Sequence, residues 1–264
     1  MNITQDTLIS KNKTNTLIYT RLLWVTLFSV AMAMLESSVV IYLRELYYPD
    51  GFQFPIRATS YTIAVTELFR ELATLIMLLA IGILTGRNKQ ERFAWFILSF
   101  AIWDIFYYLF LYLIIDWPMS IREWDILFLI PMMWVGPVWA PLLLSLLMII
   151  LASSILYFSR QKHNSGLKLQ EWFILIAGSL TVIIAFCKDF YLFMTMHYPT
   201  IPFAQLFLSK QSIEYATKYV PVSFDVMLFL FGCVVICSGI GMYTIRNMKE
   251  AKSNRCESEA RPVY

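Results

Sequence analysis

Histidine is almost missing from this chain. Its two histidines, His163 and His197, both fall outside the apolar runs. That argues against a bis-histidine haem, a histidine-box desaturase and a histidine-ligated zinc site. Charge is scarce as well. Asp, Glu, Lys and Arg make up 15% of the residues, against about 25% in an average soluble domain. A soluble chain of 264 residues cannot cover its core with so few charges. Cysteine is limited to Cys187, Cys233, Cys237 and Cys256, with no zinc spacing among them. Cys233 and Cys237 lie four apart in an apolar run and read as small helix-packing residues. No Gly-, Ser- or Pro-rich linker divides the chain, so one membrane domain is expected. The net charge of +3 is too small to point to nucleic acid.

Apolar surface is what the chain has in abundance: 59% of residues are hydrophobic and the mean hydropathy is +0.63. A helix needs about 20 mainly apolar residues to cross a ~30 Å hydrocarbon core. Residues 22–43, 61–84, 93–115, 172–194 and 222–243 each qualify. The run at 126–158 is too long for one straight crossing, and Pro131, Gly136, Pro137 and Pro141 interrupt it. It divides into a short interfacial or re-entrant segment at 126–134 and a fourth span at 138–158. The expectation is an all-α, polytopic membrane helix bundle of about six spans. A Pro-broken segment precedes the fourth span. A further short helix is expected at 204–218. The first run is too long for a cleavable signal peptide and lacks a small-residue cleavage site.

Lys and Arg distribute unevenly between alternate loops, which sets orientation. Fourteen of the 21 lie in the N-terminal tail, the second loop, the fourth loop and the C-terminal tail. Six lie in the other loops, and Arg70 lies within a span. Both termini are therefore expected in the cytoplasm, in a plasma or bacterial inner membrane. The parts are a tail at 1–20, a membrane domain at 21–245 and a tail at 246–264. Tyr47, Tyr48, Trp117, Trp124, Trp172 and Tyr219 flank the spans and read as an interfacial aromatic belt.

Ionisable residues inside spans are costly and must face other helices or water. In the first span Ser29, Ala33 and Ser37 repeat every four residues, a seam for close helix packing, and Glu36 borders it. In the second, Glu67, Arg70, Glu71 and Thr74 share a face, which continues to Gly82 and Gly86. Asp104 in the third is followed by Tyr107 and Tyr108, whose hydroxyls can hydrogen-bond a carboxyl group. Asp189 ends a small-residue stripe in the fifth, with Lys188 beside it, and Asp225 opens the sixth. The orientation places all six acids in the outer half. Six acids against Arg70 and Lys188 cannot all stay charged in a low dielectric, so some should bind a proton or a cation.

The candidate ligand or ion-path residues are therefore Glu36, Glu67, Arg70, Glu71, Asp104, Tyr107, Tyr108, Asp189 and Asp225. No catalytic residue, metal ligand or cofactor is assigned. Transport of a small cation, or of a solute coupled to protons, is the leading expectation. The alternatives are a membrane-embedded enzyme acting on a lipid or isoprenoid, an accessory subunit of a membrane complex, and a network that only fixes helix packing. No paired-Asp diphosphate motif and no Ser/His or Cys/His couple supports the enzyme. The expected partners are the lipid bilayer, a small cation or lipid-like ligand, and a second copy or a complex subunit, but not nucleic acid. Arg70-Glu71-Leu72-Ala73-Thr74 stops short of the Arg-Glu-x-x-Glu motif of the iron permease family. Thr74 stands where the final acid would be, so no family is assigned.

Overall fold

The computed structural model describes residues 3–49, 51–57, 60–160, 165–197 and 214–259. Among them are six helices long and apolar enough to cross a membrane. They are α1 (Ile3–Tyr47), α2 (Tyr61–Thr85), α3 (Lys89–Ile115), α4 (Trp139–Ser159), α5 (Leu169–His197) and α6 (Val226–Glu259). The protein is a multi-pass, all-α membrane helix bundle.

Local chemistry explains where the helices start and stop. The Ser60 side chain accepts from Ile63 N and caps α2. Asn88 accepts from Gln90 N and Glu91 N and caps α3, which ends at Asp116 in the left-handed region (φ 53°). Asp225 accepts from Leu228 N at 3.0 Å and opens α6, four residues later than the start of the apolar run. Hydropathy alone sees neither caps nor polar helical extensions. That is why α1 and α6 outrun their apolar cores. The helix expected at 204–218 lies mostly outside the described residues, and its end is a helical turn at 214–216.

The short segment before the fourth span is not a helix. It is an antiparallel hairpin of β1 (Trp124–Phe128) and β2 (Trp134–Pro137). Trp124 pairs with Pro137, Asp125 with Gly136, Ile126 with Val135 and Phe128 with Trp134, with a bulge between Ile126 and Phe128. Prolines at both ends of the 131–137 stretch forbid a continuous helix. Pairing two strands satisfies backbone groups that a broken helix would otherwise leave unpaired. Pro141 falls in the first turn of α4, where proline costs nothing.

Small residues set the helix contacts. Ser29, Ala33 and Ser37 are all fully buried, and the Ser37 hydroxyl donates to the Tyr107 carbonyl of α3 at 3.1 Å. A Cβ on Gly82 would meet the Arg92 carbonyl at 2.7 Å and Phe96 Cβ at 2.8 Å, so α2 and α3 touch there through backbone. Gly178 and Gly232 play the same part between α5 and α6: each Cβ would lie 3.0–3.1 Å from the other's carbonyl. Phe186 of α5 stacks on Trp134 at 6.0 Å and seats the hairpin on the bundle. Residues 52–54, the hairpin and the 214–225 segment gather at one end. Phe52 meets Trp117 there, and Phe54 meets Tyr219.

Candidate functional site at the hairpin end

α2 buries a single narrow stripe: Glu71, Thr74, Leu78 and Gly82. Its other faces are apolar and exposed, as in Leu72, Ile76, Leu79 and Ile83. The stripe delivers a carboxylate to the interior. One residue before it, Arg70 pairs with Glu36 across the α1–α2 gap and with Glu67 at 2.7 Å on its own helix. Thr74 Oγ1 donates to the Arg70 carbonyl at 3.1 Å and reaches Glu36 Oε2 at 3.4 Å. Glu71 is 7% exposed. It makes no ion pair among the described residues. Its Oε2 instead accepts the backbone N–H of Leu129, in the hairpin tip, at 2.8 Å. The cluster thus holds one guanidinium between two carboxyls, and Glu71 beside them grips the hairpin backbone at Leu129.

A second polar group lies beside it. Arg44, near the end of α1, pairs with Asp125 of β1 at 3.4 Å, and the Tyr108 hydroxyl donates to the same carboxyl at 3.2 Å. The guanidinium lies 3.7 Å from the Trp117 ring and 4.7 Å from the Phe52 ring, cation–π contacts that strengthen out of water. Its Nη1 has no hydrogen-bond partner among the described residues. Burial pushes the Asp125 carboxyl up to about 6, with Arg44 and the Tyr108 hydroxyl pulling the other way.

The remaining candidates are spread out. Asp104 accepts from Ser145 of α4 at 2.7 Å, a link between α3 and α4. Tyr107 enters through its carbonyl, which receives Ser37. Asp189 accepts from the Tyr219 hydroxyl at 2.7 Å and from Val222 N at 3.0 Å. It is a clamp on the segment that leads into α6. Burial, with the bond to Asp189, holds the Tyr219 hydroxyl well above its ordinary range and keeps it a donor. Asp225 is half-buried and pairs with the exposed Lys188 at 2.6 Å. That contact and the Leu228 N–H lower its carboxyl below the usual range. The structure therefore brings Glu36, Glu67, Arg70 and Glu71 together, joins Tyr108 to a separate pair, and leaves Asp104, Asp189 and Asp225 at other contacts. Tyr48 and Tyr219, expected in the lipid-facing belt, are buried under this cap.

Arg44 and Asp125 were absent from the candidates drawn from the sequence. Asp125 stands in Trp124-Asp125-Ile126-Leu127 as Asp104 stands in Trp103-Asp104-Ile105-Phe106. The rule that flagged one acid in an apolar run applies to both. The echo is not a structural repeat, since one copy is helical and the other a strand. Among the described residues no three His, Cys, Asp or Glu side chains are grouped to hold a metal ion. No family model, no curated protein and no solved structure matches this chain.

Proposed function

We propose that the protein moves protons, or a small cation or solute coupled to them, across the membrane. The Glu36–Glu67–Arg70–Glu71 cluster is its ionisable centre. Glu71 carries the proposal. It is a buried carboxylate without a cation of its own, hydrogen-bonded to the backbone of a hairpin. Intramembrane carboxylates next to irregular backbone are the parts from which ion and proton paths are built. Arg70 already fills the space between Glu36 and Glu67 as a resident cation, which leaves Glu71 as the group free to take up charge. With both termini in the cytoplasm of a cell membrane, the centre faces the outer half.

The test is purified protein in liposomes carrying a trapped pH-sensitive dye, driven by a pH step. Wild type dissipates the step faster than empty liposomes, and Glu71→Gln does not, although it inserts and purifies as a folded species. Wild-type flux in Glu71→Gln would sink the proposal.

A further inference from the structure

At the opposite end, α4 and α6 line an open groove of about 520 Å³, within the range of ligand sites. Ser153, Ser154, Tyr157 and Phe158 line it from α4, and Thr244, Met248, Ala251 and Lys252 from α6. The two helices run the same way and the Phe158 ring meets the Tyr243 ring at 6.0 Å, so Thr244 stands level with the end of α4 and Lys252 lies about 12 Å beyond it. The level is interfacial: Arg160 follows α4 directly, and Arg246 lies on α6 between Thr244 and Lys252.

Elsewhere in the spans, Ser29, Ser37, Thr66, Thr181 and Ser238 turn their hydroxyls back onto a carbonyl of their own helix. The groove hydroxyls do not, and neither do Thr26 and Ser179. Among the described residues the hydroxyls of Ser153, Ser154, Tyr157 and Thr244 make no hydrogen bond, and Lys252 has no acidic partner. Arg246, by contrast, is fully engaged by Glu171 at 2.8 Å and by the Gly166 carbonyl at 2.6 Å. Four hydroxyl donors and one ammonium thus converge unpaired on a groove that also offers Phe158, Met248 and Ala251. Unmet polar groups at membrane depth cost free energy, so a matching occupant gains by supplying acceptors.

We infer that this groove binds an anionic phospholipid, with its phosphate on Lys252 and its glycerol and ester oxygens on the hydroxyls. An acyl chain runs from there towards the bilayer centre past Ile150 and Leu146, exposed on the same face of α4. The charge is complementary, the acceptors match the donors, and the groove opens on the perimeter between two spanning helices. Basic pockets between spanning helices hold such headgroups elsewhere.

Delipidated protein titrated with phosphatidylglycerol or phosphatidylcholine in detergent, and read by native mass spectrometry, tests this. Wild type should bind phosphatidylglycerol more tightly, and Lys252→Gln should weaken it about fivefold. A Ser153→Ala/Ser154→Ala/Thr244→Val triple variant should lose about tenfold. Lys249→Gln, an exposed cation outside the groove, should bind as wild type. Inorganic phosphate should not compete. Equal loss in Lys249→Gln and Lys252→Gln, no preference between the two lipids, or full competition by phosphate would each overturn the assignment. The triple variant binding as wild type would do the same.

Discussion

Arg70 answers two acids on two helices, so its loss leaves more than a missing bond. Glu36 and Glu67 would remain half-buried and unpaired, and breaking a buried ion pair from one side costs about 3 kcal/mol. Arg70→Ala should lower the folded yield, read as the monodisperse fraction in size-exclusion chromatography. Adding Glu36→Gln should restore part of it. Unchanged yield in Arg70→Ala would mean that the cluster does not hold α1 to α2. Asp125 gives a pH signature at the same scale. Its folded carboxyl titrates at about 6 against an ordinary 3.8, so folding favours the protonated form. Its contribution is complete below pH 3.8, falls as pH rises through about 6, and is level above that. The Tm of Asp125→Asn in detergent, a neutral mimic of the protonated acid, should lack this decline and so lie at or above wild type near neutral pH. An unaltered Tm–pH profile would contradict the burial of Asp125.

Helix contacts rest on glycine at two places. A side chain on Gly82 must displace the backbone of Arg92 and Phe96, not a flexible tip. Gly82→Leu should therefore destabilise by about 3 kcal/mol, and Leu79→Ala, on the exposed face of α2, should not. Chemical denaturation in detergent separates the two. Spans of this kind are legible in a sequence because period and length suffice. Glu36, Glu67, Arg70 and Glu71 were legible as a face because three- and four-residue spacing puts them on one side of a helix, or beside a small-residue seam. The hairpin was legible only as a break. Prolines say where a helix cannot continue, and two short apolar strands look like any other apolar run. The roles of Asp189 and Asp225 were hidden for another reason. Asp189 clamps Tyr219 and Val222 of a loop whose path spacing does not reveal, and Asp225 caps its own helix while pairing with Lys188 of α5.

Across the whole molecule, the two ends differ in chemistry. The hairpin end collects Glu36, Glu67, Glu71 and Asp125 against Arg44 and Arg70, under a lid of Tyr48, Trp117 and Tyr219. The other end carries Arg160, Arg246, Lys249 and Lys252, and there Glu171 pairs with the chain's own Arg246. In the proposed account an ionisable centre works from one leaflet while the other end is anchored to anionic lipid. Glu71 links the centre to the hairpin, so a change in its charge is felt by the hairpin backbone at Leu129. The most direct test is the charge itself. Proteoliposomes adsorbed on a solid-supported membrane should give a transient current on a pH jump with wild type. Glu71→Gln, of equal folded content, should give none. A current of wild-type size from Glu71→Gln would contradict the account, because charge would then cross the protein without its least matched carboxylate.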